Sequence, residues 1–168
     1  MTQEIRFCLK ADEAPPLPGA YAMAIEFAET VAVTLYGRPP IALSAGRYLY
    51  CGSANGPGGL KARLSRHMRR GKSLRWHIDQ LTERGSVIGS WIVPGGDECE
   101  LVRRLLPLPI PIPGFGSSDC AKCRLIIQIE NHKALECCCF RDPQRLGSRA
   151  RYGRQGSSGP FKNELVVA

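Results

Sequence analysis

The side chains best suited to chemistry are two tyrosines, an arginine, a histidine and a glutamate, which follow one another in order. Tyr21 ends a Gly-Ala-Tyr run, and Tyr50 begins a Tyr-Cys-Gly run. Arg63 and His67 come next, four residues apart, which is about one turn of a helix. Glu98 follows later in the chain. Together they supply hydroxyls, a phosphate-binding cation, a proton carrier and a metal-binding acid.

This set of side chains suits the hydrolysis of a phosphodiester, which needs charge stabilisation, an activated water and a protonated leaving group. The planar guanidinium of Arg63 can hold the phosphate, and His67 can move a proton or bind phosphate. A tyrosine hydroxyl can act as the base only if its pKa, normally about 10, is lowered by neighbouring cations or metal-bound water. Glu98 can ligate a hard divalent cation such as Mg²⁺.

Taken singly, each of these residues also has a structural interpretation. The tyrosines fit core positions of strands, Arg63 fits a solvated helix face, and His67 fits a satisfied position in the core. Glu98 can pair with a nearby arginine. The order and spacing of the whole set favour a catalytic site over these alternatives.

A cluster of positive charge surrounds Arg63 in a chain of 168 residues with a net charge of +8. No acid interrupts the cationic strip, which consists of Lys61, Arg63, Arg66, Arg69, Arg70, Lys72 and Arg75. Such a strip favours a polyanion, and nucleic acid is the usual one; a solvated helix face is the alternative. We assign the strip, with Trp76 and His77 directly after it, to contacts with nucleic acid, and we favour DNA over RNA.

Alternating apolar residues predict the strands that carry the tyrosines. Residues 21–27 and 31–35 are predicted to form a β-hairpin, and residues 47–51 a third strand with Tyr48 and Tyr50 on one face. Further strands are predicted over residues 87–93 and 125–129.

Helical spacing predicts the elements that carry the charged groups. A helix over residues 60–70 would turn an apolar row toward the sheet and leave Arg63 and His67 at the seam between the two. That row is Leu60, Leu64 and Met68. A second helix is predicted to include residues 76–81.

A third helix is predicted to begin near Asp97, whose side chain would cap it. Glu100 then stands where a capping box places its acid, so it is assigned a structural role. Glu98 shares spacing with the apolar residues of the helix and should point inward with them.

Length and composition predict one domain with a modest tail. We divide the chain into a proline-rich leader over residues 1–18 that packs loosely or extends, a domain over 19–130, and a cysteine-containing segment with a flexible basic tail over 131–168. No apolar run approaches the roughly 18 residues that cross a bilayer, and the N-terminus lacks a secretory pattern. We therefore expect no membrane contact, a cytoplasmic location, and eight cysteines that are reduced thiols or metal ligands.

The ordered series resembles the GIY-YIG endonuclease superfamily, and in particular an uncharacterised stand-alone subgroup sometimes fused to glycosylases of the endonuclease III type. The resemblance extends from about residue 19 to residue 129, roughly two thirds of the chain. It rests on Gly19-Ala20-Tyr21, Tyr48-Leu49-Tyr50-Cys51-Gly52-Ser53-Ala54, Gly59-Leu60 with Arg63 and Arg66-His67, Trp76-His77-Ile78-Asp79, Glu98-Cys99-Glu100-Leu101, and Gly114-Phe115-Gly116-Ser117-Ser118-Asp119-Cys120.

The resemblance implies a small α/β fold of the α+β type, with a central, mainly antiparallel sheet flanked by helices. It also implies a Mg²⁺- or Mn²⁺-dependent endonuclease acting on DNA or RNA, in repair or processing. The superfamily's motif tyrosines fall on Tyr21 and Tyr50, its arginine on Arg63, its metal-binding glutamate on Glu98, and the histidine of some members on His67.

The alternative function is a nucleic-acid-binding module that keeps this fold without hydrolysis. The positive tail favours it. So does the absence of a histidine shortly after Cys120, where the subgroup usually has one.

A structural zinc ion is the less favoured cofactor. Cys120 and Cys123 have the two-residue gap of a zinc half-site, and Cys137, Cys138 and Cys139 can supply partners. A zinc ribbon would repeat the spaced pair, which this chain does not do. Three adjacent cysteines also cannot easily all point at one ion.

Overall fold

The computed structural model describes residues 5–35, 37–105, 108–112, 115 and 126–129. The strands are β1 (Arg6–Cys8), β2 (Gly19–Phe27), β3 (Val31–Val33), β4 (Ile41–Leu43), β5 (Gly46–Ser53), β6 (Ser86–Pro94) and β7 (Ile126–Ile129). The helices are α1 (Gly59–Met68), α2 (His77–Arg84) and α3 (Glu98–Leu105), and a short 3-10 helix covers Ala11–Glu13. Residues 131–168, predicted to hold the cysteine-containing segment and basic tail, lie outside the described residues.

The main sheet has five strands in the order β1-β6-β2-β5-β7, and every neighbouring pair is antiparallel. This confirms the predicted α+β fold with a mainly antiparallel central sheet. The strands predicted over residues 47–51 and 87–93 are confirmed within β5 and β6, and β7 covers the described part of the one predicted over 125–129. β2 lies at the centre and pairs with β5 on one side and β6 on the other.

The predicted hairpin between residues 21–27 and 31–35 is wrong. β2 pairs with β5 and β6, whereas β3 pairs with β4 in a separate two-stranded sheet, with Val31 opposite Leu43. The alternation in both segments does identify strands, since Val31 and Val33 are buried around an exposed residue. Periodicity identifies a half-buried strand but not its partner, which is why the pairing was misassigned.

Residues 5–18, which fall in the predicted leader, contact the rest of the domain. β1 pairs with β6 over its whole length. Further on, the carbonyl of Leu17 accepts a hydrogen bond of 2.9 Å from the N–H of Leu60 at the start of α1. Gly59 permits this approach, because its φ is +54° and a Cβ there would lie 2.2 Å from the Leu17 oxygen.

The two faces of the main sheet are filled differently. The face covered by α1 and α2 carries large side chains from β2 and β5, among them Tyr21, Met23, Ile25, Tyr48 and Tyr50. The opposite face of β2 carries Ala20, Ala22 and Ala24, which pack with Leu49, Trp91 and the apolar residues of α3. Both motif tyrosines therefore face α1 and α2, and α3 lies on the other side of the sheet.

The helices largely match their predictions. Leu60 and Leu64 of α1 are fully buried, and Met68 packs against the same core. Asp97 caps α3, since its Oδ1 accepts a hydrogen bond of 3.0 Å from the N–H of Glu100. The carboxylate of Glu100 pairs with Arg103 and Arg104 instead, which confirms its structural role.

No helix among the described residues has the length and apolar character needed to cross a membrane.

Candidate active site at the end of the central sheet

Tyr21 and His67 form a buried hydrogen-bonded pair between β2 and α1. The Tyr21 hydroxyl oxygen lies 2.9 Å from Nε2 of His67, and the two residues are 2% and 1% exposed. Tyr21 lies opposite Gly52 in the sheet, where a Cβ would sit 2.5 Å from the hydroxyl oxygen. Gly52 of the Tyr-Cys-Gly run therefore leaves the space that Tyr21 of the Gly-Ala-Tyr run occupies.

Tyr50 stands beside this pair on β5. Its ring centroid is 6.5 Å from that of Tyr21, and its ring lies edge-on to Phe115 at 6.3 Å. His77, at the start of α2, contacts the same Phe115 ring at 5.6 Å and is partly exposed. An aromatic cluster thus joins the ends of β2 and β5 to α2.

Arg63 lies over the indole ring of Trp76, with its guanidinium carbon 4.3 Å from the ring centroid. Arg66 lies over the same ring at 4.2 Å, and both contacts are within the range of a cation–π interaction. The ring is 41% exposed. A base that stacks on Trp76 must share this ring with two guanidinium groups.

Glu98 is the first residue of α3 and is partly buried. Burial is the main cause that raises the pKa of Tyr21 and Tyr50, the negative charge of Glu98 raises it further, and the positive charge of Arg63 opposes both. The same carboxylate adds to the effect of burial on the pKa of the Cys51 thiol. Although α3 packs on the other face of the sheet, its first carboxylate acts electrostatically on both hydroxyls at the end of the strands.

The raised pKa of both tyrosines corrects one step of the sequence argument. A phenol was expected to act as a base only if neighbouring cations or metal-bound water lower its pKa. In the structure, burial outweighs the charge of Arg63, so the pKa of Tyr21 and of Tyr50 moves the other way. The charge of Arg63 alone therefore does not turn either phenol into a base.

His67 lies behind the Tyr21 phenol and is neutral. Burial, then the charge of Arg63, lowers its pKa to about 3. Its Nδ1 is buried and has no hydrogen-bond partner among the described residues, and it lies 3.8 Å from Oδ1 of Asp79. A neutral imidazole has one N–H and one acceptor nitrogen, so Nε2 can either give a proton to Tyr21 or receive one.

Asp79 is a fully buried carboxylate that ties the start of α2 to α1. Its oxygens accept two hydrogen bonds from the guanidinium of Arg66, at 2.7 and 2.9 Å. They also accept bonds from the main-chain N–H groups of Arg75 and Trp76, at 2.8 and 2.9 Å. Burial opposes ionisation, but these hydrogen bonds outweigh it and lower the pKa of Asp79 to about 2.

In the sequence, Asp79 stands within the run Trp76-His77-Ile78-Asp79, and no role was predicted for it. One signal was available, because Asp79 stands three residues after Trp76 at the start of a helix. An acid in that position commonly returns to the first N–H of the helix, as this one does.

The basic strip divides between the interior and the surface. The guanidinium of Arg70 donates to the carbonyls of Glu83 and Gly85, at 2.6 and 2.5 Å. The ammonium of Lys72 donates to the carbonyls of His67 and Arg69 and to the carboxylate of Glu83, and its side chain is 1% exposed. Arg63 and Arg66 are partly exposed. The exposed members are Lys61, Arg69, Arg75 and Arg70, the last of which is also bonded to the two carbonyls named above.

Glu98 has the donor chemistry that a hard divalent cation prefers. Mg²⁺ in proteins is often held by one or two carboxylates together with water and substrate oxygens. Glu98 supplies one carboxylate. Within the described ranges, no group of three or more His, Cys, Asp or Glu side chains is placed to hold a metal ion.

The cysteines only partly follow the prediction of reduced thiols. Cys8 and Cys51 are buried free thiols, whereas Cys99 is disulfide-bonded, so the prediction is wrong for Cys99. The cysteines of the predicted zinc site lie outside the described residues: Cys120, Cys123, Cys137, Cys138 and Cys139.

Comparison with known proteins gives one match. The model of a family described as "Domain of unknown function DUF123" matches residues 20–146, a stretch that contains Tyr21, Tyr50, Arg63, His67 and Glu98. No curated protein and no solved structure matches the chain.

Proposed function

Because this chain belongs to the family described as domain of unknown function DUF123, we propose its activity from the site alone: metal-dependent hydrolysis of phosphodiester bonds in DNA or RNA, in repair or processing. One observation carries the proposal. The Tyr21 hydroxyl is hydrogen-bonded to His67 on α1, the helix that also carries Arg63, and the ring of Tyr50 lies beside that of Tyr21. These residues supply a cation for the phosphate, a proton carrier and two hydroxyls, and Glu98 at the start of α3 is the acid proposed for the metal.

Arg63 holds the scissile phosphate in this proposal. Its guanidinium is partly exposed and rests on Trp76, so its fork is oriented before substrate arrives. Glu98, together with water and phosphate oxygens, would hold Mg²⁺ or Mn²⁺, which would stabilise charge on the phosphate and favour ionisation of water.

The pair formed by Tyr21 and His67 handles the proton. As the Tyr21 oxygen takes a proton from the attacking water, its own hydroxyl proton passes to Nε2 of His67 across the 2.9 Å hydrogen bond. The phenol then never has to carry a full negative charge in its buried position. The base strength of this relay is that of His67, so His67 has to accept a proton more readily in the substrate complex than its pKa of about 3 allows. Pairing of Arg63 with the phosphate acts in that direction, because it offsets a positive charge that lowers the pKa of His67.

The exposed cations contact phosphates away from the bond that is cut. Lys61 and Arg69 lie on or beside α1, and Arg75 lies just before Trp76. Such contacts add affinity without sequence preference, because they neutralise phosphates and do not reach base edges.

Two substitutions with matched controls test the proposal. Glu98→Gln and Arg63→Ala should each lower the rate of cleavage by about 100-fold or more, since each removes charge stabilisation at the reacting phosphate. Glu100→Gln and Arg103→Ala, both on α3, are the controls, since neither residue has a role in the proposed site. Cleavage of duplex DNA, single-stranded DNA and RNA is measured with Mg²⁺ or Mn²⁺ and with chelator, and the fold is checked by thermal unfolding. Wild-type rates in both test variants, or cleavage that survives chelation, would remove the proposal.

A binding module without hydrolysis is the second candidate. The observation in its favour is the burial of both hydroxyls, which are 2% and 9% exposed as residues and have a raised pKa. It predicts salt-sensitive binding of nucleic acid and no cleavage with any divalent cation.

A cytoplasmic location is part of the same proposal. The free thiols of Cys8 and Cys51 agree with a reducing compartment, and the disulfide at Cys99 does not. Mass spectrometry of alkylated protein from intact cells would distinguish the two states of Cys99.

A further inference from the structure

The buried Nδ1 of His67 is an unexplained polar atom. Its neighbour Nε2 bonds to the Tyr21 hydroxyl, but Nδ1 has no hydrogen-bond partner among the described residues. A buried polar atom without a partner costs free energy, so its surroundings should favour one protonation state. The charged and titratable groups that act on His67 from β2, α1, α2 and the loop between the helices are Tyr21, Arg63, Arg66, Lys72 and Asp79.

Asp79 has room for one more donor on the side that faces His67. Its Oδ2 accepts three hydrogen bonds, from Arg66, Arg75 and Trp76. Its Oδ1 accepts one, from Arg66, and lies 3.8 Å from Nδ1 of His67. A carboxylate oxygen has two acceptor positions, so Oδ1 retains one.

We propose that Asp79 is a positioning residue that keeps the single proton of neutral His67 on Nδ1 and leaves Nε2 as the acceptor for the proton of Tyr21. The two tautomers differ in what faces the carboxylate. With the proton on Nδ1, an N–H dipole points at the negative oxygen of Asp79. With the proton on Nε2, a lone pair of Nδ1 faces that oxygen in the protein interior, which is unfavourable. At 3.8 Å the interaction is electrostatic and too long for a hydrogen bond.

The catalytic meaning of this assignment rests on the proposed function, because the relay needs Nε2 free to receive a proton. The tautomer itself does not depend on the proposed function. It is a property of the folded protein at neutral pH, without substrate or metal, and it can be measured separately.

The experiment reads the protonation of each ring nitrogen of His67 by long-range ¹H–¹⁵N correlation in the full ¹⁵N-labelled chain at pH 7. The His67 signals are assigned by their loss in His67→Gln. In the wild-type protein, Nδ1 should carry the proton and Nε2 should show the downfield shift of an unprotonated nitrogen. In Asp79→Asn, the amide N–H₂ can face Nδ1 as a donor, and the two signals should exchange.

Tyr21→Phe is the second variant, and it keeps the test informative if Asp79→Asn does not fold. If Asp79 sets the tautomer, the proton stays on Nδ1 when the hydroxyl is removed. A wild-type protein with the proton on Nε2, an unchanged pattern in Asp79→Asn, or a proton that moves in Tyr21→Phe would each overturn the assignment. The absence of nuclease activity would not affect these readings, so the two proposals fail separately.

Discussion

The basic strip contains an inner set and an outer set of cations that are indistinguishable by residue type. The inner set, Arg66, Arg70 and Lys72, donates its hydrogen bonds to acceptors within the fold. The outer set, Lys61, Arg69 and Arg75, has exposed side chains. The basic strip therefore connects α1 to α2 through its inner set and forms a positive surface through its outer set.

The path of the chain after α1 explains the division. α1 ends at Met68, and Gly71, with a φ of +68°, turns the chain back beneath the helix end. The turn brings the ammonium of Lys72 to the last carbonyls of α1, where a positive charge also suits the helix dipole. A positive charge in the sequence is therefore no guide to whether it faces solvent.

The largest effect is expected for Arg66→Ala. It would leave the fully buried carboxylate of Asp79 without its guanidinium, and breaking a buried pair from one side costs about 3–5 kcal/mol of unfolding free energy. Arg69→Ala, on the outer set, should change stability by less than about 0.5 kcal/mol. Urea unfolding of both variants measures the difference, and equal stabilities would show that the division between the sets is not energetic.

The next effect is a pH dependence of the unfolding free energy that arises from His67. The inner set helps to enclose this residue. The pKa of His67 is about 3 in the folded protein, whereas an unfolded histidine has a pKa of about 6.5. Because the pKa of His67 is lower in the folded protein, its contribution to the free energy of unfolding is complete above pH 6.5. That contribution is lost as pH falls from 6.5 toward 3. Between pH 7 and pH 4 the loss should reach about 3 kcal/mol.

His67→Gln should remove most of the fall in unfolding free energy between pH 7 and pH 4. His77→Gln, at a partly exposed position, should retain that fall. Unfolding free energies at several pH values between 7 and 4 measure it. Below pH 4, protonation of Asp79, whose pKa is about 2, adds a further loss in all three proteins. A slope that survives in His67→Gln would assign the dependence to another group.

Lys72→Met should have an intermediate effect. Methionine keeps most of the apolar stem but loses the hydrogen bonds to the carbonyls of α1 and to Glu83. Loss of hydrogen bonds that involve a charged group costs about 1.5–3 kcal/mol. Lys61→Met, the matched outer substitution, should cost less than about 0.5 kcal/mol, and urea unfolding compares the two.

Local features of the sequence predicted the elements of the fold well. Alternation located β2, β5 and β6, and helical spacing located α1 with Leu60 and Leu64 facing the core. The cap at Asp97 also followed from residue types, because an acid before a helix bonds to its first N–H groups. These features depend on neighbours within one or two turns of the chain.

Features that depend on distant partners were missed. The alternating pattern of β2 did not identify β5 as its partner. The prolines near residue 18 gave no indication that Leu17 contacts Leu60. The role of Asp79 was missed for the same reason, since His67 and Arg66 approach it only after α1 and α2 pack together. The division of the basic strip likewise depends on that packing.

The smallest free-energy effect is expected for the outer set, and it bears on binding rather than on stability. Replacing Lys61, Arg69 and Arg75 together with glutamine should reduce the slope of log affinity for duplex DNA against log salt by about 2–3, since each lost phosphate contact removes about 0.9. Lys72→Met should leave that slope unchanged, because its ammonium is already bonded within the fold. Fluorescence anisotropy with labelled duplex at several salt concentrations measures both slopes. A reduced slope in Lys72→Met, or an unchanged slope in the triple variant, would mean that the surface seen in the structure is not the surface that contacts nucleic acid.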